Sequence, residues 1–525
     1  MTAHASSGDQ ESSSRAPIAA AFVLLLTALL SLVWSHVRLM ENDEFLSFYS
    51  DSVPTFRQVL TVQLHHPISL DPPTYHLLSH MSMDFLGRNA AALRMPALSG
   101  FLLLEVCLYF FVKRLSGSRT AIIAMAFPLL TASFRYSVEG RPYGLLLGLY
   151  AASLLCWQLA TLDDGVSRSR LLPLAGLTLA ISLAITSHYF GVLILIPVSL
   201  GELWRTVTRR RLDFGVVASL AIGLASVGLI LPFQRALLVY RQHYYVQQVT
   251  WHNITQGYRE LFLRYTTWPM ALQKLAAALM AIAVLTLAFA AYKRFKARDA
   301  SEHAHVWIAL VSMALLPFFG FLFGRFVTHT MEVKYVIAAL IAFAAIFGMV
   351  LERRLRSNAF YYGAVTAILA VAALINLHNI VQEMRDTQKV MSAFQLSPSV
   401  ATALYSNPNK RIYVQLLEDF YLDAYYEPDV TLRSRFTMVY DANDEIKWLG
   451  HDTNAITAVN MSYFTPLSIA PYTKLLKQSD PLLLLNHSGW QWVDKQLDAD
   501  RLPQKDVGSC MRGELVTVQT GVVTH

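Results

Sequence analysis

The apolar residues of this chain are gathered into blocks of roughly 20, which is the length that a helix needs to cross a bilayer. We count about eleven such blocks along the 525 residues, and only 15% of all residues are charged. In a soluble protein, charged residues usually make up about a quarter of the chain. The sequence therefore predicts an α-helical polytopic membrane protein. The predicted spans lie near residues 17–35, 91–112, 119–134, 142–161, 171–187, 189–204, 214–232, 270–292, 306–324, 334–351 and 359–377.

The loops between the blocks indicate which side of the membrane they face, because cytoplasmic loops are enriched in Lys and Arg. Every second loop is basic, which predicts a cytoplasmic N-terminus and a C-terminal region outside the cytoplasm. The net charge of +7 is thus mostly a signal of topology and does not indicate nucleic-acid binding. The basic residues are Lys113, Arg114 and Arg119; Arg168 and Arg170; Arg205, Arg209, Arg210 and Arg211; Lys293, Arg294, Lys296 and Arg298; and Arg353, Arg354 and Arg356.

Composition divides the chain into three parts. Residues 1–16 are polar, and we expect them to be a disordered cytoplasmic segment rather than part of a cleaved signal peptide. Residues 17–378 hold the predicted spans, with external loops at 37–90 and 233–269. Residues 379–525 have a soluble composition and predict a small α/β domain outside the cytoplasm. Its predicted strands lie at 411–416, 430–436, 455–463, 482–486 and 515–520.

Two adjacent carboxylates, Asp43 and Glu44, follow the first apolar block. In one interpretation they are solvated residues at the end of a span. In the other, Asp43 is a general base, and Glu44 binds a metal ion or orients the acceptor.

The rest of the first external loop predicts two short helices. Ser52 is a candidate N-cap of the first helix, and Asp71 is a candidate N-cap of the second, which Pro72 and Pro73 begin. We favour this capping role for Asp71 over a functional one. For His66 three interpretations stand: a metal ligand, a substrate contact or an ordinary loop residue.

Five stretches of the chain resemble motifs that occur together in one group of membrane proteins. All five fall at predicted outer ends of spans. The stretches are Asn42-Asp43-Glu44; His66-Pro67 through Asp71-Pro72-Pro73-Thr74-Tyr75-His76-Leu77-Leu78, followed by Leu86-Gly87 and Ala92-Leu93-Arg94-Met95-Pro96; Ser137-Val138-Glu139-Gly140-Arg141-Pro142-Tyr143; Thr186-Ser187-His188-Tyr189-Phe190; and Val333-Lys334-Tyr335.

On these residues the chain resembles the GT-C superfamily of glycosyltransferases. It is most similar to the family-39-type branch of protein O-mannosyltransferases, aminoarabinose transferases and bacterial RgtA/B/C/D-like enzymes. The resemblance covers roughly residues 17–380. It implies a GT-C fold and an inverting enzyme that moves a sugar from a polyprenyl-phosphate carrier to a glycan, lipid or protein outside the cytoplasm. A bacterial inner membrane is the expected location.

The resemblance also implies roles for individual residues. Asp43 is expected to be the base and Glu44 its partner. Arg141 and Lys334 are expected to bind the donor phosphate, with snorkelling to the membrane interface as the alternative. His188 and Tyr189 are expected to contact phosphate or sugar, with an aromatic belt at a helix end as the alternative. The remaining expected substrate contacts are Glu139, Asp71 and His66.

The sequence departs from the family pattern at two places. Asp71 stands where the family often has His, and Glu139-Gly140-Arg141 stands where the family has a Glu-Ala-Arg turn. These departures leave the cofactor open, with a divalent metal ion as one possibility.

Two other classes of function are considered. A transporter or flippase of a lipid-linked glycan predicts symmetric halves and polar sites at the midplane, whereas the charged residues here gather at one face. A non-catalytic subunit with the same fold is opposed by the presence of Asp43. Glu105, inside the second block, is interpreted as structural and paired with a Tyr, or else as unexplained.

Overall fold

A computed structural model of the protein describes residues 7–161, 170–240, 248–263, 304–355, 357–478, 480–486, 491–510 and 513–520. The chain forms two compact units. The first consists of Met1–His36, Asp71–Leu231 and Val246–Ile380, and the second of Val37–Leu70, Pro232–Tyr245 and Val381–His525. The predicted span at 270–292, part of the loop at 233–269, and Arg168, Lys293, Arg294, Lys296, Arg298 and Arg356 lie outside the described residues.

Helices make up most of the described chain. The first helix begins at Ser7, inside the segment that we expected to be disordered. The helices are α1 Ser7–Val37, α2 Asn42–Asp51, α3 Phe56–His65, α4 Pro73–Leu86, α5 Ala90–Ser116, α6 Ser118–Ala126, α7 Tyr143–Ala160, α8 Leu171–Ser187, α9 Leu195–Arg209, α10 Phe214–Ala225, α11 Val227–Ala236, α12 His252–Leu263, α13 Ala304–Ala314, α14 Leu316–Phe323, α15 Leu340–Arg354, α16 Asn358–Ser392, α17 Pro398–Tyr405, α18 Leu417–Tyr426, α19 Val430–Arg433, α20 Ala442–Leu449, α21 Thr453–Ser462, α22 Tyr472–Leu475 and α23 Trp492–Ala499.

The first unit consists of apolar helices. Among the described residues, seven helices are long and apolar enough to cross a membrane, and α13 with the helix after it, bent by 56°, can form an eighth span. Two shorter apolar helices, Ser118–Leu130 and Leu171–Ser187, match two further predicted blocks. The prediction of a multi-pass membrane protein is confirmed. The seven helices are Ala16–Val37, Ala90–Ser116, Tyr143–Ala160, Tyr189–Arg209, Phe214–Tyr240, Val333–Glu352 and Asn358–Ser392.

The loop after α1 contains three helices rather than the two that we predicted. The additional helix, α2, carries Asp43 and Glu44 in its first turn. A capping box starts it, in which the Glu41 side chain accepts from the backbone of Glu44 and the Glu44 side chain accepts from the backbone of Glu41. Ser52 ends α2 instead of capping α3, and Thr55 provides the cap of α3. We missed α2 because its cap is a Glu rather than Ser, Thr, Asp or Asn.

Helices α5 and α7 approach each other very closely through three glycines. A Cβ atom on Gly148 would collide with the backbone carbonyl of Gly100, and one on Gly144 would collide with the carbonyl oxygen of Ala97. Small residues of this kind allow helix backbones to come together in a membrane, where packing rather than the hydrophobic effect drives association. The close contact fixes the position of the residues that precede α7.

The second unit contains a six-stranded sheet with the order β3-β2-β1-β4-β6-β5. The first four strands in this order are parallel, and β6 and β5 are antiparallel. Helices between the parallel strands make this an α/β domain, as predicted. The strands are β1 Ile412–Val414, β2 Phe436–Tyr440, β3 Ser468–Pro471, β4 Leu482–Asn486, β5 Gln504–Cys510 and β6 Gly513–Val518.

Two of the predicted strands were wrong. Residues 455–463 lie mostly in α21, where Ala455, Ala458 and Met461 are buried at helical spacing. The run at 430–436 is split between the short helix α19 and the start of β2. Both errors concern short apolar runs, for which periodicity alone does not separate a strand from a buried helix.

We predict that Gly148→Ala destabilises the protein by about 1–3 kcal/mol, because the added methyl group meets backbone that cannot move aside. Thermal unfolding in detergent measures the effect. The matched control is Gly363→Ala in α16, where a Cβ atom meets nothing within 4 Å, and that variant should be neutral or slightly more stable. Equal stability of the two variants would contradict the close packing of α5 and α7.

Candidate functional site

Asp71 and Arg141 form a buried ion pair in the first unit. Nη2 of Arg141 lies 2.8 Å from Oδ2 of Asp71, and the two side chains are only 8% and 6% exposed. Pro72 is the N-cap of α4 and Pro73 its first residue, so Asp71 does not cap this helix. The favoured capping role of Asp71 was therefore wrong. The Asp71 carboxylate is instead paired with the buried guanidinium group of Arg141. A charge that is removed from water needs an opposite charge beside it.

His188 is the third member of this cluster. It lies in the turn between α8 and the 3-10 helix Tyr189–Ile194. Its Nδ1 accepts a hydrogen bond of 3.2 Å from the backbone N–H of Phe190, so the ring proton belongs on Nε2, which lies 3.9 Å from Oδ1 of Asp71. Burial lowers the pKa of His188 to about 4, although the charge of Asp71 opposes that shift. The imidazole is therefore neutral at neutral pH.

Aromatic rings surround His188. The ring of Tyr335 lies 4.8 Å from the ring of His188, and the ring of Tyr143 lies 5.6 Å from it. Phe190 packs 4.8 Å from Tyr335 on another side. Tyr143, Tyr335 and Phe190 are contributed by three separate helical segments, which makes the cluster a junction of the helices in this unit.

Lys334 adds a second cation. Its Nζ lies 3.0 Å from Oε2 of Glu332 and 5.4 Å from the centre of the Tyr143 ring. Charge attraction and a cation–π contact both hold the ammonium group near Tyr143. Arg141 and Lys334, predicted from distant parts of the chain, are therefore brought to one cluster.

A short turn sets Arg141 directly before α7. The backbone N–H of Arg141 donates a 2.7 Å hydrogen bond to the carbonyl oxygen of Glu139, and both residues are buried. Pro142 caps α7, so the guanidinium group belongs to the N-terminal end of this helix. The partial positive charge of a helix N-terminus and a guanidinium group both favour an anion.

Two hydroxyl groups next to His188 are also buried. Oγ of Ser187 and Oη of Tyr189 have no hydrogen-bond partner among the described residues. One residue earlier, the hydroxyl of Thr74 donates a 2.7 Å hydrogen bond to that of Thr186, which ties α4 to α8. The segment 186–189 thus offers hydroxyl groups beside the cluster of Asp71, Arg141, His188 and Lys334, called the cation cluster below.

Asp43, Glu44 and His66 belong to the second unit. Glu44 is fully buried and accepts hydrogen bonds of 3.0 Å from Nη1 of Arg38 and 3.1 Å from the backbone N–H of Glu41. Asp43 is half-buried in the same turn. His66 stacks on Tyr463 with ring centres 4.1 Å apart.

Glu44, for which metal binding was one interpretation, has a cation as its partner in this structure. Glu44 is committed to a buried ion pair with Arg38. Among the described residues, no group of three or more His, Cys, Asp or Glu side chains is placed to hold a metal ion. The role of Glu44 in this structure is to anchor α2 on Arg38.

Three residues of these clusters were not predicted from the sequence, namely Tyr143, Tyr335 and Arg38. Tyr143 and Tyr335 stand inside the stretches that carry the family resemblance, and this was the available signal. Arg38 had no such signal, because an Arg at the end of a span usually reaches for the interface. Glu105, interpreted as structural and paired with a Tyr, accepts a 2.6 Å hydrogen bond from the hydroxyl of Thr27 instead.

Comparisons with known proteins agree on the fold. No protein-family model and no curated protein sequence matches the chain. Among solved structures, ArnT from Cupriavidus metallidurans bound to undecaprenyl phosphate matches with a TM-score of 0.57 and 15% identity, over 96% of this chain and 99% of that chain. The apo state of the same protein matches with a TM-score of 0.56 and 14% identity, over 95% and 98%.

A third structure, the S. cerevisiae protein O-mannosyltransferase Pmt1-Pmt2 complex bound to the sugar donor, reaches a TM-score of only 0.34 at 15% identity, over 49% of this chain and 37% of that chain. The ArnT structures show that the chain has the same fold along nearly its whole length. The predicted GT-C fold with a C-terminal α/β domain is thereby confirmed.

We predict that His188 makes the protein less stable in acid. Because the pKa of His188 is lower in the folded protein than the usual 6.5 of the unfolded chain, the unfolded state binds more protons between about pH 6.5 and 4, and stability falls as the pH drops through that range. Thermal unfolding at a series of pH values should show a shallower loss for His188→Gln than for the wild type. The same substitution at the exposed His252 is the control, and an unchanged slope for His188→Gln would contradict the prediction.

Proposed function

We propose that the protein is an integral-membrane, inverting glycosyltransferase that moves a sugar from a polyprenyl phosphate to a hydroxyl group outside the cytoplasm. The observation that carries the proposal is the buried cation cluster in a chain with the fold of ArnT, which has been crystallised with undecaprenyl phosphate. The acceptor class, whether glycan, lipid or protein, is left open by these residues.

The cation cluster suits the phosphate group of a lipid-linked donor. Arg141 presents a guanidinium group that binds phosphate through paired N–H donors, and Lys334 adds a point charge. Asp71 occupies one face of Arg141 at 2.8 Å, so a phosphate would share or replace that contact. In a buried site these charges act through a low dielectric, which makes their stabilisation of a leaving phosphate larger than in water.

The aromatic residues of the cluster suit the sugar. Tyr143, Tyr335 and His188 present ring faces within a few ångströms of one another. The hydroxyl of Tyr189, which has no hydrogen-bond partner within the part of the chain that the structure describes, is a hydrogen-bonding group for sugar or phosphate. Glu139 belongs to the same turn as Arg141. We assign these residues to the binding of the donor.

We assign the role of general base to Asp43. Glu44 is buried against Arg38 and Asp71 is paired with Arg141, whereas Asp43 is the more accessible carboxylate of its pair. Asp43 takes the proton of the acceptor hydroxyl, and the oxygen forms a bond to the anomeric carbon from the face opposite the phosphate. The bond between that carbon and the phosphate oxygen breaks, and polyprenyl phosphate leaves with the electron pair.

Contacts among the basic loops support the proposed orientation, with these loops in the cytoplasm. Arg119 donates to the side chain of Asn358 at 3.1 Å and to the carbonyl of Leu355 at 3.0 Å. Arg170 and Arg205 both form ion pairs with Asp213. Basic loops that are far apart in sequence therefore lie next to each other, at the same ends of their helices. We propose a bacterial inner membrane with the C-terminal domain outside the cytoplasm.

Turnover of labelled polyprenyl-phosphate sugars by the purified protein in lipid tests this proposal. We expect one donor to be consumed, and we expect Asp43→Asn to lower kcat by about 10²–10⁴-fold, as the loss of a general base does. Asp84→Asn is the matched control, because Asp84 is exposed on α4 and contacts His80; it should retain wild-type activity.

Two results would count against the account in different ways. A wild-type protein that consumes none of the donors in the presence of envelope extract as acceptor would contradict the proposed function. Full activity of Asp43→Asn beside an active wild type would leave the transferase assignment standing and remove Asp43 as the base. Assays with and without a chelator report any dependence on a metal ion.

A further inference from the structure

The start of α2 is held by two hydrogen bonds from the C-terminal part of the second unit. The backbone N–H of Met40 donates to Oη of Tyr426 at 2.9 Å. The hydroxyl of Thr387 donates to the carbonyl oxygen of Val37 at 2.7 Å. One bond holds the last residue of α1, and the other holds the main chain in the short connection between α1 and α2. The direction in which α2 leaves that connection is therefore set by residues 350 and 386 positions later in the chain.

Aromatic packing holds the body of α2 against α18. Phe45 is fully buried, and its ring lies 5.4 Å from that of Tyr421, 5.8 Å from that of Tyr425 and 6.2 Å from that of Tyr426. Phe48, one turn further along α2, lies 5.2 Å from Tyr425. Contacts of this kind add stabilisation beyond the burial of apolar area. The second unit thus has a shared core between the loop after α1 and the C-terminal domain.

A carboxylate in the first turn of α18, Glu418, also interacts electrostatically with the carboxylates at the start of α2. Burial raises the pKa of Glu418, and the charges of Asp419, Glu41 and Asp43 raise it further. Asp43 is therefore within electrostatic range of a carboxylate of the C-terminal domain. The 3.0 Å ion pair between Arg38 and Glu44 also holds the first turn of α2.

We propose that Tyr426 is a positioning residue for the base, and that the C-terminal domain thereby takes part in the transfer reaction by orienting Asp43. This inference rests on the proposed function. Asp43 stands three residues after Met40, so a change in the main chain at Met40 tilts or rotates the first turn of α2. A displacement of a reacting group by about 1 Å can cost up to about 10²-fold in rate.

The inference predicts a loss of kcat without a loss of donor binding when the tyrosine hydroxyl is removed. Tyr426→Phe keeps the ring that packs on Phe45 and removes the hydroxyl that accepts the Met40 hydrogen bond. We expect kcat to fall about tenfold while KM for the donor changes less than about twofold. Tyr405→Phe is the matched control, since the Tyr405 hydroxyl is exposed and bonds Asp429 in the same domain; its kcat should not change.

A double-mutant cycle with Asp43→Glu separates positioning from general stability. In Asp43→Glu the base is already displaced by one methylene group, so adding Tyr426→Phe should lower the residual kcat by less than about twofold. Equal losses in both backgrounds would overturn the inference and leave Tyr426 as a structural residue. Unchanged kcat in Tyr426→Phe alone would overturn it as well.

Thr387→Ala provides an independent variant if Tyr426→Phe does not fold, because it removes the other hydrogen bond to the start of α2. It should show the same pattern of lower kcat, constant donor KM and non-additivity with Asp43→Glu, and additive losses would overturn the inference. Failure of the proposed function is a separate result. It would appear as no turnover by the wild type, whereas failure of this inference appears only in the cycle on an active enzyme.

Discussion

The buried ion pair between Asp71 and Arg141 is the constraint on which the first unit depends. A single charge in a low-dielectric interior costs several kcal/mol, and removal of one partner of such a pair is strongly destabilising. The chain meets that constraint with rigid elements on both sides. On the side of Asp71, two prolines start α4 and the hydrogen bond between Thr74 and Thr186 ties it to α8. On the side of Arg141, the glycine contacts of α5 and α7 fix the turn before α7.

This arrangement explains how a cation cluster persists among apolar helices. Asp71 neutralises Arg141, Glu332 neutralises Lys334, and His188 stays neutral because burial lowers its pKa. In the proposed function, the donor phosphate meets cations that are already held in place. Preorganised charge of this kind is the largest single contribution to catalysis in many enzymes, and the proposed function uses it for the leaving group.

Adjacent carboxylates take different roles in the second unit. Asp43 and Glu44 are neighbours in sequence, yet helical geometry sends Glu44 into a buried pair with Arg38 and leaves Asp43 partly accessible. The hydrogen bond to the Glu41 backbone reinforces that division. Glu44, which we expected to be the partner of the proposed base, forms the ion pair that secures the helix carrying Asp43.

The apolar blocks were enough to predict the spans that lie within the described residues. The fold, and the residues that the structure brings together in the cation cluster, came from the family resemblance of the outer stretches. Apolar blocks can be recognised in a sequence because a membrane span has a required length, and that requirement does not depend on tertiary contacts. The contacts of Asp71 and Glu44 could not be predicted from the sequence. Whether Asp71 caps α4 or pairs with Arg141 depends on contacts between segments 70 residues apart, and the partner of Glu44 is an Arg that looks interfacial in the sequence. The strand predicted at 455–463 failed for a similar reason, since a short apolar run takes its structure from its neighbours.

Binding of a polyprenyl phosphate to the protein in lipid nanodiscs tests the central claim most directly, with the corresponding polyprenol as the matched control. The account predicts saturable binding of the phosphate, little binding of the alcohol, and an affinity for the phosphate that falls tenfold or more, on the order of 1.4 kcal/mol, in Arg141→Lys because the paired N–H donors are lost. Equal affinity for the phosphate and the alcohol, or unchanged binding in a folded Arg141→Lys, would contradict the assignment of the cation cluster to the donor phosphate.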